Sequence, residues 1–316
     1  MAISIPWLNR KSSTTGRIGI AVGPDGLSIA CVDAKQKLTF CRLYDELSDS
    51  TQLLGDLVAE HEWKGMPCTV VLHPVYYQLL LTERPPVEDE ELSSAVRWKV
   101  KELLDFPIEE AAIDTFSLPE DAYRGRQKML YAAALRKTTL QDLVSPVEAA
   151  GLEVDCIEVS ELALHNLSSR ITSDRGCTAI VQFHAGEGFI NLVESGAIYL
   201  SRRLDIGLDK FKPSGDNTTF FDTLFLEIQR SLDFYESQLG KGIVTYLYYS
   251  PGLPSTEAIG RFLSAQLAVT VEPLSLSAVN VDSDIPLDDE QVLRCVTAIG
   301  AALQPKKVLE VANAAH

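Results

Sequence analysis

The chain has 316 residues, 44 acidic and 28 basic side chains and a formal net charge of −16, and with 46% hydrophobic and 23% charged residues it is globular and long enough for two lobes. The acidic excess argues against a nucleic-acid partner, whose backbone is held by clustered Lys and Arg, and suits a basic peptide instead. The longest uncharged stretches, residues 67–82 and 242–256, are interrupted by proline and shorter than the about 20 apolar residues of a membrane span, which predicts a soluble protein.

The first residues, MAISIPWLNRK, lack the apolar stretch of a secretory signal, so a cytoplasmic chain is expected. Residues 1–17 carry Arg10, Lys11 and Arg17 and no acid, an apolar and basic arm suited to anionic lipid or to an acidic groove on another copy. From Ile18 apolar residues alternate around Gly23-Pro24-Asp25-Gly26 and continue through Leu38–Leu43, predicting a three-strand meander. Cys68–Leu72 and Tyr76–Thr82 read as strands, the first followed by His73-Pro74.

After Pro85-Pro86 a helix is expected over Glu88–Phe106, with Leu92, Ala95, Val96, Val100, Leu103 and Leu104 on one face and an acidic first turn. Ile113–Leu118 and Lys128–Leu135 form a strand pair, followed by a helix over Thr139–Ala150 that Pro146 should kink or delay. A second meander runs from Ala179 to Arg203, with Arg202-Arg203 at its end either a partner contact or an exposed basic terminus. Beyond it come a helix over Asp222–Leu239 with a Leu224, Ile228, Leu232, Tyr235, Leu239 stripe, a strand at Val244–Tyr249, and helices over Ser255–Leu267 and Glu290–Leu303. Tyr246, Tyr248 and Tyr249 are expected to pack in the core and the cleft between the lobes.

Shifting the chain by 161 residues carries Ile29 onto Ile190, Cys31 onto Leu192 and Asp33 onto Glu194. Two halves that open with the same meander predict a duplicated α/β architecture. The six cysteines (Cys31, Cys41, Cys68, Cys156, Cys177, Cys295) show no CxxC spacing and the five histidines no ligand spacing, so neither a disulfide framework nor a metal site is expected.

Ala95-Val-Arg-Trp98, Phe106-Pro-Ile-Glu-Glu-Ala-Ala-Ile-Asp114, Ala150-Gly-Leu152 with Ile157-Glu-Val159, and Glu227-Ile-Gln-Arg-Ser-Leu-Asp-Phe-Tyr235 resemble the PilM family of type IV pilus assembly proteins, in its MshI-type branch that serves mannose-sensitive haemagglutinin (MSHA) pili. The resemblance runs from about Arg17 to Leu303 and extends to the cytoplasmic domain of the type II secretion L protein. It implies the duplicated two-lobe actin-like ATPase (ribonuclease H-like) fold: an N-terminal arm over 1–16, a first lobe over 17–175 with an α+β subdomain inserted at about 86–152, a second lobe over 176–304 and a tail over 305–316. It further implies a cytoplasmic scaffold, peripheral at the inner membrane, that binds the N-terminal tail of a PilN-like membrane protein in a groove between two subdomains of the first lobe. Other implied partners are the pilus assembly ATPase or platform proteins and further copies of the chain.

Many such relatives bind ATP with Mg²⁺ held through an acidic residue at the end of the first strand of each lobe. The matching positions here are Ala21 and Gln182, and the adenosine turn, usually Gly-Gly, is Ser250-Pro251-Gly252. The remaining candidates for a nucleotide site are Gly23, Asp25, Gln182, His184, Gly186 and Gly252, with no catalytic residue and no metal ligand. The expectation is therefore a degenerate site without a bound cofactor. The alternatives are an ATP-binding ATPase switch in the same machine and, less well supported, a small-molecule kinase.

Overall fold

A computed structural model of the chain describes residues 16–24, 26–45, 50–123, 127–171, 176–212, 215–277, 279–288 and 290–303. The N-terminal arm, Asp25 and the C-terminal tail lie outside the described residues. Strands β1 (Arg17–Gly23), β2 (Gly26–Val32) and β3 (Leu38–Tyr44) form the first meander, and helix α1 (Ser50–Glu60) leads to β4 (Pro67–Leu72). Then follow β5 (Gln78–Glu83), α2 (Asp89–Val100), β6 (Ala111–Ser117), β7 (Met129–Arg136), α3 (Lys137–Ala149), β8 (Glu153–Val159) and α4 (Ser160–Ser168). The second half contains β9 (Cys177–Phe183), β10 (Gly188–Glu194), β11 (Ala197–Leu204), α5 (Thr218–Asp233), β12 (Val244–Ser250), α6 (Glu257–Gln266), β13 (Thr270–Pro273), α7 (Glu290–Arg294) and α8 (Val296–Ala302).

Two five-stranded sheets share one topology, β3-β2-β1-β4-β8 and β11-β10-β9-β12-β13. In each the meander is antiparallel and the next strand pairs parallel to the first. The 161-residue shift holds in the register itself: the pair Ile20↔Ile29 maps onto Val181↔Ile190, and Ala21↔Ser28 onto Gln182↔Phe189. The duplication is therefore structural. β1 and β9 are central strands covered on both faces, which is why they read as near-continuous apolar runs.

The inserted subdomain is the three-stranded sheet β5-β7-β6 with α2 against it. It includes β5, ahead of the expected start at residue 86. Its α2 ends at Val100, earlier than expected: Val96 and Val100 are buried, but Leu103 is half exposed on a 3₁₀ turn and Trp98 lies largely in solvent. Helix α3 runs through Pro146 and packs between the insertion and α1. Helices α1 and α4 are additions to the expected elements. In α4 Ser160, Glu161, Ala163, Leu164, Asn166, Leu167 and Ser168 are all buried, so it has no solvated polar face to produce a helical period.

Helix α5 buries Leu224, Ile228 and Leu232, and a π-helical turn at Phe234–Gln238 continues its stripe to buried Tyr235 and Leu239. The expected last helix is divided at Cys295 into α7 and α8. Although α8 follows the second lobe in sequence, it packs on β1, β2, β4 and α4. Small residues allow this approach. A Cβ on Gly19 would overlap the Ala298 carbonyl, and one on Gly300 would overlap that of Ala163.

Arg17, counted above with the basic arm, is the first residue of β1 and is buried. Its guanidinium meets Asp155 of β8 through two bonds of 2.5 and 2.7 Å and Thr69 of β4 at 3.0 Å. The pair ties β1, β4 and β8 together and leaves only Arg10 and Lys11 as basic charges in the arm.

Candidate functional site: the cleft between the lobes

Strand ends and turns from both sheets enclose a cleft of about 430 Å³. Ala21, Val22 and Gly23 enter it from β1, Gln182 and Phe183 from β9, and Pro251, Leu253 and Thr256 from the segment after β12. The walls are chiefly apolar. Asp209 and Arg294 are the acidic and basic residues among the lining residues described, and Arg294 is bonded to Glu290 at 3.0 Å.

Of the candidate residues, Gly23, Gln182 and His184 line the cleft, and Asp25 lies outside the described residues. A Cβ on Gly23 would come within 2.8 Å of the His73 ring, so this glycine is needed where the first turn crosses His73. Gln182 is buried, and its amide donates to the Phe183 carbonyl at 3.2 Å. His184 meets His73 edge-on, with ring centroids 4.2 Å apart.

Gly186 and Gly252 are not among the lining residues. No atom lies within 4 Å of a Cβ built on Gly186, and its turn is closed by the backbone bond from His184 N to Glu187 O at 2.8 Å. Gly252 serves packing, because a Cβ there would sit 2.7 Å from Pro273 in β13. Tyr248 and Tyr249 are core residues and Tyr246 is half-buried, but none of the three lines the cleft.

Joined to the lining at His73 lies a charged cluster that sequence reading missed. The Glu187 carboxylate is ion-paired with Arg203 at 2.5 Å and stands 3.6 Å from His73 Nδ1, which accepts from the Val75 N–H. Arg203 thus belongs to this cluster, and Arg202 pairs with Glu227 at 3.3 Å, so both arginines of the expected basic terminus are engaged. Glu161 is fully enclosed at the start of α4 and accepts a short hydrogen bond from the Tyr77 hydroxyl. Burial pushes its carboxyl up to about 7, against the lowering effect of the Tyr77 bond. The Tyr77 hydroxyl, desolvated beside that carboxyl, is raised well above its ordinary value. His73-Pro74 after a buried strand and Glu187 inside a glycine-flanked turn were the available signals, since charge is rarely placed between buried strands without a partner.

Among the described residues no three His, Cys, Asp or Glu side chains converge to hold a metal ion. None of their helices is long and apolar enough to cross a membrane. No family model and no curated protein matches the sequence. Solved structures do. The first is a PilM-PilN type IV pilus biogenesis complex, 18% identical, with a TM-score of 0.73 over 92% of this chain and 98% of that one. Another is the cytoplasmic domain of EpsL, an inner-membrane component of the type II secretion system of Vibrio cholerae, 11% identical, with a TM-score of 0.52 over 84% and 92%. A third is a Bacteroides thetaiotaomicron protein with an actin-like ATPase fold and unknown function, 11% identical, with a TM-score of 0.51 over 90% and 96%. This chain has the actin-like ATPase fold. Within that fold the cleft lies between the two duplicated meanders, and Ala21 and Gln182 stand at paired positions on its floor.

Proposed function

We propose that the chain is a cytoplasmic PilM-like scaffold of a type IV pilus assembly platform, of the MshI type that serves MSHA pili. It sits peripherally at the inner membrane and binds the N-terminal tail of a PilN-like protein beside its inserted subdomain. The observation that carries this reading is the match to the PilM-PilN complex over nearly the whole of both chains. The net charge of −16 supports capture of a basic tail by electrostatic steering.

The cleft, in this reading, has lost magnesium–nucleotide chemistry. Ala21 and Gln182 put no carboxylate at the two strand ends, so the cleft offers no acid there to hold Mg²⁺ or its waters. The residues present do not fit Mg-ATP, and no catalytic step is assigned to them. A second reading, an ATP-binding switch, is favoured by one observation, that side chains leave the cleft open.

Calorimetry separates the two. A peptide copying the tail of the PilN-like protein should bind, and no heat at ~100 μM would count against the scaffold. Mg-ATP should give no binding, and micromolar affinity abolished by Gln182→Ala would establish the switch.

A further inference from the structure

The inserted sheet belongs to the first lobe by chain connection, since its strands lie between β4 and β8. Yet residues 118–123, which follow β6, and Tyr131 of β7 reach across to the second lobe. Tyr131 of β7 is buried, and its hydroxyl donates to the Ser201 carbonyl at 2.7 Å while accepting from the Ser201 N–H at 2.9 Å. Ser201 lies in β11, the edge strand of the second sheet, so one phenol satisfies both backbone groups of that residue. Asp121 accepts from the Tyr199 hydroxyl at 3.0 Å and from Lys241 at 2.5 Å, with the Lys241 ammonium 4.6 Å from the centre of the Tyr199 ring. Leu118 and Ala122 are buried beside Asp121, and Tyr123 meets Phe234 edge-on.

We propose that Tyr131 and residues 118–123 form a clasp that links the two lobes, so that the position of the inserted subdomain sets the width of the cleft. Its contacts join the insertion to β11, to the π-helical turn after α5 and to the segment before β12. β11 pairs with β10, β10 with β9, and β9 carries Gln182 into the cleft. A displacement of the insertion is thereby delivered through three hydrogen-bonded strands to the cleft wall. The regulatory consequence rests on the partner reading above: a tail peptide wedged beside the insertion would alter the cleft without touching it.

Hydrogen exchange measured by mass spectrometry on the full chain tests the clasp in two independent variants. Tyr131→Phe keeps the buried ring and removes both bonds to Ser201, while Asp121→Ala breaks a pair at the surface and leaves the core intact. Each should speed exchange roughly five- to ten-fold at residues 198–203 and also at the cleft segments 21–28 and 182–189, the size expected for losing about one net hydrogen bond to local opening. Strand β8, which pairs with β4 at the edge of the first sheet, should exchange as in the wild type. Acceleration confined to residues 198–203, or none, would overturn the proposal, and equal acceleration in β8 would reduce it to general destabilisation.

A second arm adds a synthetic peptide of the PilN-like tail. It should change exchange at the cleft in the wild type and bind both variants without that change. A cleft response that persists in the variants would overturn the clasp. If the peptide does not bind the wild type, the partner reading fails while the variants still decide the clasp.

Discussion

The two meanders of this molecule share register and position, yet they differ at each end. At the start of the first strand, β1 carries buried Arg17 paired to Asp155, whereas the equivalent position in β9 is Thr178, a buried uncharged side chain that needs no counter-charge. At the far end, the first pair of strands closes at Gly23↔Gly26 over a two-residue turn, and the second closes at Phe183↔Gly188 over a four-residue turn. The comparison shows that duplication preserved the backbone ladder and released the side chains. The cleft chemistry is thus set by single residues at equivalent positions and not by the fold.

The largest expected effect comes from the ion pair that the first sheet has and the second lacks. Asp155→Ala should lower stability by about 3–5 kcal/mol in urea unfolding, since it strands the Arg17 charge in the interior. The double change Arg17→Met and Asp155→Leu, which gives the first sheet an uncharged start as the second has at Thr178, should recover most of that loss. A double variant as unstable as the single one would show that the charge organises β1, β4 and β8 in a way the second sheet achieves otherwise.

Glu161 breaks the comparison next, being a buried acid between the lobes with no equivalent charge on α8. Its ordinary value is 4.5 and its folded value about 7. Between these the folded chain keeps a proton that the unfolded chain has released, so stability should fall as pH rises from 4.5 to 7 and level off above it. Glu161→Gln keeps an acceptor for Tyr77 and should stabilise by about 1–3 kcal/mol at pH 8 with little gain at pH 4.5, as read by thermal unfolding across pH. A gain independent of pH would assign the effect to packing.

The glycines of the two turns give the smallest and sharpest contrast. Gly23→Ala should cost about 1–2 kcal/mol because His73 must move, while Gly186→Ala should be neutral to about 0.5 kcal/mol because its Cβ meets nothing. Chemical denaturation of both variants would check it, and equal costs would show that the two turns are alike after all.

Much of this was legible in the chain. The alternation around Gly23–Gly26 and Gly186–Gly188 marked both meanders because each strand has a regular period, and the stripe of α5 was readable because its opposite face is solvated. Helix α4 was not, since burial all round removes that contrast. Of the candidate site, Gly23, Gln182 and His184 reach the cleft, whereas Gly186 and Gly252 share their glycine-rich setting without facing it. His73, Glu161 and Glu187 were invisible as a set because they are far apart in sequence and meet only when the lobes close on one another.

By itself, the sequence determined the duplicated α/β plan and the absence of carboxylates at Ala21 and Gln182, because period, spacing and residue identity are local properties. Tertiary structure alone decided that α8 returns to the first sheet, that Arg17 is an interior ion-pair residue, and that Tyr131 and Asp121 join the insertion to the second lobe. These are contacts between segments distant in the chain, and their energy depends on burial and geometry that no local pattern encodes.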